Sequence, residues 1–393
     1  MKPNYIDCQK IVAACDNFYE KVETIDGTKI SIFNYTVSIY EMFINPLQNE
    51  TKELDAFELR GLTFVHTPNG VVRQRMLHKF LNVNEAPGYL YDDLKDWKVQ
   101  RVQEKADGSM IRFIRLLNGR VIAKTKAGLG NDQSFLALQC YKENSSLKQF
   151  VDETLDNHLA AIFELTSPLN KIVCDYDKTE LRLLQLREED SGNYLDIYNN
   201  ELVKKHNVTT TPSCEIMSLK TLIEMKKTVE GIEGWVVTIT DGIKIMLVKI
   251  KTDWYMARHR LIDKTNSEDT LLGLILDDQL DDAIVLLAPD NPSRILSLDI
   301  QKHVQHIISQ LTKDTMALLA TFDGDRKKFA MANMNNPLFH YTAKFLGTPP
   351  DQEKIVTYIK NRIKFETRRL MLAREFLKKT GFTSTIKIAT GDE

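Results

Sequence analysis

Trp235-Val236-Val237-Thr238-Ile239-Thr240-Asp241-Gly242-Ile243-Lys244-Ile245-Met246 reads as two strand-forming runs folded back on each other. β-Branched and aromatic residues crowd both arms, and the Asp-Gly between them tolerates the positive φ of a tight type I′ turn. The same pattern recurs at Asn69-Gly70, between Leu62-Thr63-Phe64-Val65 and Val71-Val72-Arg73. It recurs again at Asn118-Gly119, between Met110-Ile111-Arg112-Phe113-Ile114-Arg115 and Arg120-Val121-Ile122-Ala123. Such hairpins predict antiparallel sheets over roughly the first 260 residues, with helices about 7–22, 133–156 and 217–229. From about Lys264 to Lys379 helical spacing takes over. Ile355, Ile359, Ile363, Leu370 and Leu377 fall on one stripe, begun at Thr348-Pro349-Pro350-Asp351 and stopped at Gly381. The expected fold class is α+β, with an antiparallel-sheet domain over 1–262 and an all-helical C-terminal domain over 263–393.

Composition narrows the class. Hydrophobic residues make up 43% and charged residues 27% of 393, as in ordinary globular chains. No apolar stretch is long enough to span a bilayer, and Met1–Asp7 lacks the apolar core of a signal peptide. A cytoplasmic protein with no membrane partner is expected. Cys8, Cys15, Cys140, Cys174 and Cys214 are odd in number and form no CxxC, which argues against a disulfide framework and a structural zinc site. The net charge of −2 does not mark a nucleic-acid binder, so only local clusters could. The last long helix supplies one. Lys360, Arg362, Lys364, Arg368, Arg369, Arg374, Lys378 and Lys379 outnumber Glu366 and Glu375, and offer either phosphate contacts or a solvated face.

Between two strand-like runs lies Glu104-Lys105-Ala106-Asp107-Gly108-Ser109. A lysine beside an acid and a glycine suits a covalent nucleophile that a nucleotide approaches closely. Alone the motif is weak, since Lys-x-Asp-Gly arises by chance in roughly one chain in ten of this length. Lys124 and Lys126 are two apart in one strand, as are Lys249 and Lys251 in another, so each pair shares a sheet face. Solvent or a polyphosphate would satisfy either pair. Glu233 presents a difficulty. A two-residue turn at Asp241-Gly242 pairs Lys249 with Gly234 and Lys251 with Ile232, which leaves Glu233 on the opposite face. Only a bulge near Gly234 or a longer loop would bring it round. Asp281-Asp282 is a candidate second metal site or an ordinary helix surface.

Lys105-Ala106-Asp107-Gly108-Ser109 resembles motif I of the covalent nucleotidyltransferases. Other segments narrow the resemblance to the RNA ligase 1 family of T-even-like bacteriophages. Glu58-Leu59-Arg60-Gly61 and His78–Glu85 resemble its segments upstream of motif I. Lys124-Thr125-Lys126 to Gln133 resembles motif III, and Phe163-Glu164-Leu165 with Pro168 to Val173 motif IIIa. Glu233–Val236 and Lys249–Tyr255 resemble motifs IV and V, and Asp325–Met331 a segment of the helical C-terminal domain.

The resemblance implies an ATP-dependent RNA ligase, with Lys105 as the lysyl–AMP nucleophile and Arg60, Lys79, Lys249 and Lys251 as catalytic phosphate-contacting cations. It implies nucleotide binding by Glu104, Gly108, Lys126, Glu164, Glu233, Tyr35 and Tyr255 as well. A divalent cation, Mg²⁺ or Mn²⁺, is implied at Asp107 and Glu233. The implied partner is RNA with 5′-phosphate and 3′-hydroxyl ends, such as nicked tRNA in repair, together with an end-healing kinase/phosphatase. The helical domain would select the RNA, in the host cytoplasm if the chain is phage-encoded. Two departures stand out: Ala106 replaces an acidic residue, and the turn between motifs IV and V is about three residues longer. The alternatives are a DNA ligase or capping nucleotidyltransferase, which would carry a β-barrel after motif V, and a non-catalytic RNA-binding homologue.

Overall fold

Strands whose side chains alternate between two environments pair so that each sheet keeps one face for a core, and three antiparallel sheets form here on that rule. The computed structural model describes residues 2–36, 40–44, 46–47, 54–170, 172–265, 267–280, 284, 292–349, 351–369 and 372–383. The chain divides into two compact units, Met1–Met256 and Ala257–Glu393.

In the first unit, one sheet is a meander of Phe18–Ile25, Thr28–Tyr35, Leu62–Thr67 and Gly70–Gln74. A second runs in the order Tyr194–Leu195, Glu180–Glu188, Leu159–Thr166, Ser109–Arg115, Val121–Thr125. The third runs Ser213–Cys214, Lys98–Glu104, Gly234–Thr240, Ile245–Lys251. Every ladder is antiparallel. One face of the second sheet packs Phe113, Phe163 and Leu183 against Phe150 and Ala137 of helices Ser145–Asp156 and Asp132–Glu143. One face of the third packs Val102, Trp235, Val237, Val248 and Ile250 on Leu219 and Leu222 of helix Leu219–Met225. The remaining faces of these two sheets share a small apolar cluster of Ala160, Ile162 and Leu247 with Leu77 and Phe80.

The expected hairpins form, but none has the expected turn. Thr67 pairs with Gly70 around Pro68-Asn69, with φ +123° at Gly70. Arg115 pairs with Val121 around a five-residue loop. Thr240 pairs with Ile245 around four residues, because the Asp241 carboxylate accepts from the amides of Ile243 (2.8 Å) and Lys244 (2.7 Å) and opens the turn. The type I′ turn lies elsewhere, at Asp26-Gly27, where both residues have positive φ and Ile25 pairs with Thr28. That hairpin also corrects the expected helix over 7–22. The helix is Tyr5–Ala14, closed by an Asn4–Asp7 capping box, and Phe18–Ile25 alternates as a strand. The expected helix over 133–156 is two, since the Asn144 side chain caps the second at Leu147 N. The helix expected over 217–229 spans Leu219–Met225.

In the second unit the described elements are helical, as expected, but the last long helix is broken. Gln352–Arg369 and Ala373–Lys379 are separate, Leu372 is extended, and Leu370 lies outside the described residues. Ile355, Ile359 and Ile363 pack with Leu272, Ile275, Val304 and Phe376. Part of the basic face is neutralised within the unit. Lys360 bonds Asp278 at 2.6 Å, Lys364 bonds Asp277, Arg362 meets Glu366 at 3.0 Å, and Arg374 meets Glu268 at 3.2 Å. Asp281-Asp282 lies outside the described residues.

Candidate active site

The cleft between the second and third sheets holds a cavity of about 310 Å³. Strand parity decides its lining. On the third sheet Val236 pairs with both Gln103 and Lys249, so these share a face, with Lys251 two residues on from Lys249. On the second sheet Glu164 continues the row Ala160–Ile162 that faces the apolar cluster. Leu77, Phe80, Met110, Leu184 and Leu247 line the apolar part. Lys105, Lys249, Lys251, Lys126, Arg60, Glu104 and Glu164 line the charged part. Gly108 forms wall between them, and any side chain there would strike Leu165 O at 2.2 Å.

Lys105 follows the strand Lys98–Glu104, and its amide donates to Gly234 O at 2.9 Å. Its Nζ lies 2.6 Å from Glu233 Oε2, while Glu233 Oε1 lies 2.9 Å from Lys251 Nζ. Glu233 therefore reaches both lysines, although the observed register shifts pairing by two residues and so preserves the unfavourable parity. Gly234 resolves the difficulty. At φ +147° it turns the chain at the start of its strand, and a Cβ there would meet Ile250 O at 2.1 Å.

Cations crowded beside a carboxylate in a half-dry cleft change each other's protonation. Burial, with Arg60 next in weight, pushes the Lys249 amine down to about 7. Burial and Arg60 push Lys126 down to about 8, and its Nζ sits 4.4 Å from the Tyr35 ring centre. Burial raises Glu164 to about 7 against the opposing pull of Lys105. An anion entering the cleft would restore the lysine charges, which is the electrostatics of a polyphosphate site.

Five expected site residues stand outside the cavity lining: Glu233, which reaches it only through Lys105 and Lys251, and Asp107, Tyr255, Tyr35 and Lys79. Asp107, expected to hold a metal, is buried with its carboxylate engaged by three donors: Val173 N and Cys174 N at 2.8 Å, and Tyr255 Oη at 2.8 Å. Tyr255, expected to bind nucleotide, is thus a buried prop behind Lys251, whose Nζ lies 5.0 Å from its ring centre. Tyr35 backs Lys126. Lys79 lies 5.6 Å from the same Tyr35 ring and lines a neighbouring groove with Phe57, Tyr89 and Tyr194. Lys124 does not share the role of Lys126. It is fully buried, donating to Gly61 O (3.1 Å) and Thr125 O (2.8 Å). Gln103, Gln185 and Thr211 line the cavity without any advance signal, being single polar residues on strand or loop with no distinctive spacing.

Arg60 and Lys79 leave a buried ion-pair brace. The Arg187 guanidinium grips Glu58 through Nη2–Oε1 at 2.8 Å and Nη1–Oε2 at 3.2 Å, and also donates to Met76 O. Burial would raise the Glu58 carboxyl, but Arg187 overrides it and holds the group well below the usual carboxylate range. Glu58 lies two residues before Arg60, and Met76 three before Lys79. Among the described residues, no group of three or more His, Cys, Asp or Glu is arranged to hold a metal, and no helix is long and apolar enough to cross a membrane.

A family model described as RNA ligase matches residues 58–255. A Thermovibrio ammonificans protein named putative RNA ligase is 28% identical over 272 residues, 68% of this chain and 67% of the relative. A protein of Autographa californica nuclear polyhedrosis virus, named putative bifunctional polynucleotide kinase/RNA ligase, is 27% identical over 295 residues, 69% of this chain and 39% of the relative. Among solved structures, an archaeal ATP-dependent RNA ligase superposes with a TM-score of 0.49 at 15% identity, covering 93% of this chain and 96% of that one.

Proposed function

The chain belongs to the T4 RNA ligase 1 family of RNA ligases, and on that premise we propose that it uses ATP to join RNA 5′-phosphate and 3′-hydroxyl ends through AMP carried on Lys105. The observation that carries the proposal is Lys105 Nζ held at 2.6 Å by Glu233 in a cavity shared with Lys249, Lys251, Arg60, Lys126 and Glu164.

In the first step the Lys105 amine attacks the α-phosphorus. An N–P bond forms, the P–O bond to pyrophosphate breaks, and the amine's proton leaves to solvent. Lys249, Lys251, Arg60 and Lys126 neutralise the phosphate charge that builds during transfer. Glu164 accepts the ribose hydroxyls, and Glu233 orients Nζ. In the second step an oxygen of the RNA 5′-phosphate takes the phosphorus from Lys105, giving an RNA–AMP anhydride. In the third a 3′-hydroxyl attacks the RNA phosphorus and AMP leaves. With Asp107 engaged elsewhere, a divalent cation would take most of its oxygens from the nucleotide, with Glu233 or Glu164 as the protein ligand; Mg²⁺ or Mn²⁺ would supply further charge neutralisation.

The biological role we propose is repair of nicked RNA, tRNA included, beside an end-healing kinase/phosphatase. The printed name of the viral relative, which couples a kinase to an RNA ligase, supports that pairing. For RNA selection by the helical unit, Lys378 and Lys379 carry more of the reading than Lys360 and Lys364, which are occupied by Asp278 and Asp277. The DNA ligase and capping alternatives lose ground because no strand follows Lys251 among the described residues. The test is transfer of label from α-labelled ATP to protein, followed by ligation of nicked tRNA and linear RNA. Label on the Lys105→Ala protein would refute the proposal.

A further inference from the structure

Among the uncharged residues that line the cavity, three have polar side chains. Gln103, Gln185 and Thr211 meet there, each more than nine-tenths buried. An amide looks the same turned either way, so what it offers a ligand depends on what fixes its orientation. Here the orientation is fixed from behind. Tyr198 Oη donates its one proton to Thr211 O at 2.8 Å. It can then only accept from Gln103, whose Nε2 lies 3.0 Å away. Two further acceptors, Leu184 O and Thr211 Oγ1, lie 3.4 Å from the same nitrogen. Gln103 Oε1 therefore faces Gln185 and accepts from its Nε2 at 2.8 Å. One N–H of that nitrogen is thereby engaged, which fixes the amide's orientation and leaves the carbonyl oxygen of Gln185 unbonded. No donor among the described residues meets this Oε1, and it is not sealed from solvent.

We infer that Gln185 Oε1 reads the nucleobase, accepting a hydrogen bond from the exocyclic amine at position 6 of a purine, and that Tyr198 sets this preference without touching the nucleotide. The inference rests on the nucleotide-transfer reading above and adds to it a base specificity with a physical source. A 6-oxo purine would bring an acceptor against an acceptor, and a buried site built for one hydrogen bond rejects a ligand that leaves it unmade. Were the amide pair turned over, Gln185 would present NH₂ and the preference would invert. One hydroxyl proton thus chooses the base. Tyr198 and Gln103 are positioning residues; Gln185 is the contact.

Three nucleotides isolate the contact: ATP, inosine triphosphate (6-oxo) and purine riboside triphosphate (no group at position 6). Their dissociation constants are measured by titration calorimetry on the full chain, in parallel with the yield of covalent nucleotide. The wild-type protein binds ATP most tightly and inosine triphosphate least. Tyr198→Phe compresses the ATP-to-inosine ratio by about tenfold, the worth of one hydrogen bond that no longer holds the pair. Gln185→Met removes the ratio. An unchanged ratio in Tyr198→Phe, or a wild-type protein that binds ATP and inosine triphosphate equally, overturns the inference. Should Tyr198→Phe fail to fold, as a melting curve would show, Gln185→Met carries the same test. Selective binding without a covalent adduct would sink the transfer reading and leave this one standing. An adduct formed equally from both nucleotides would do the reverse, and no binding of either would end both.

Discussion

Replacing Glu164 by glutamine should stabilise the first unit at neutral and alkaline pH while removing its nucleotide chemistry. Burial raises this carboxyl from 4.5 to about 7, and the group sits on a strand between apolar neighbours with Lys105 as its chief favourable charge. That displacement corresponds to about 3 kcal/mol. The direction follows from proton linkage. The folded pKa lies above the unfolded one, so the folded state holds a proton that the unfolded chain has lost, and stability falls as pH rises from about 4.5 to about 7. Above that range the full penalty of burying a carboxylate is present; below it both states are protonated and there is none. Glutamine keeps the shape and never ionises. Urea unfolding is followed by tryptophan fluorescence, because Trp97, Trp235 and Trp254 all lie within Met1–Met256. The two proteins should unfold together at pH 4.5 and separate by pH 8, the variant being more stable by up to about 3 kcal/mol. A variant less stable at pH 8, or a difference that does not vary with pH, would refute the reasoning. Such a gain on removing a site residue is the usual trade of stability for function.

Gly234→Ala should cost at least about 1 kcal/mol in the same assay and abolish lysine adenylylation, because the Cβ would meet Ile250 O and turn Glu233 away from Lys105. Arg187→Ala strips the buried Glu58 of its main counter-charge and should lower the urea midpoint by an amount equivalent to about 3–5 kcal/mol. ATP affinity should fall as pH rises from 7 to 9. Bound phosphates raise the pKa values of Lys249 and Lys126 above their free values of about 7 and about 8, so binding takes up protons that the free protein has lost. Calorimetry at pH 8 in two buffers of different ionisation enthalpy should show that uptake; identical apparent enthalpies would count against it.

Much of this was legible in the chain because strands announce themselves through period-2 alternation, and the shared face of Lys249 and Lys251 follows from parity. Turn type was not legible. It depends on which residue takes positive φ, and at Asp241 a side chain capturing two amides lengthened the loop. Nor could spacing reveal that Gly234 would turn Glu233 to the lysine side, since that is a property of one backbone angle. Motif position placed Asp107 and Tyr255 in the site, but the amides of Val173 and Cys174 claim the carboxylate and draw both behind the wall. Lys124 and Lys126 look equivalent on one face. Only the third dimension shows one ammonium sealed against Gly61 O and the other beside Tyr35.

The cavity draws on Arg60, Lys105, Lys126, Glu164 and Lys249, contributed by segments spread over some 190 positions and brought together largely by long-range pairing. Closing such distant loops is the slow part of folding a β-rich chain. Lys105 and the charges around it are therefore expected to come within reach of each other late, when nearly all of the first unit is in place. On the proposed chemistry, a chain that keeps Lys105 but has not closed the cleft would form no covalent adduct. Appearance of the covalent adduct during refolding would then serve as a clock for the last step of assembly.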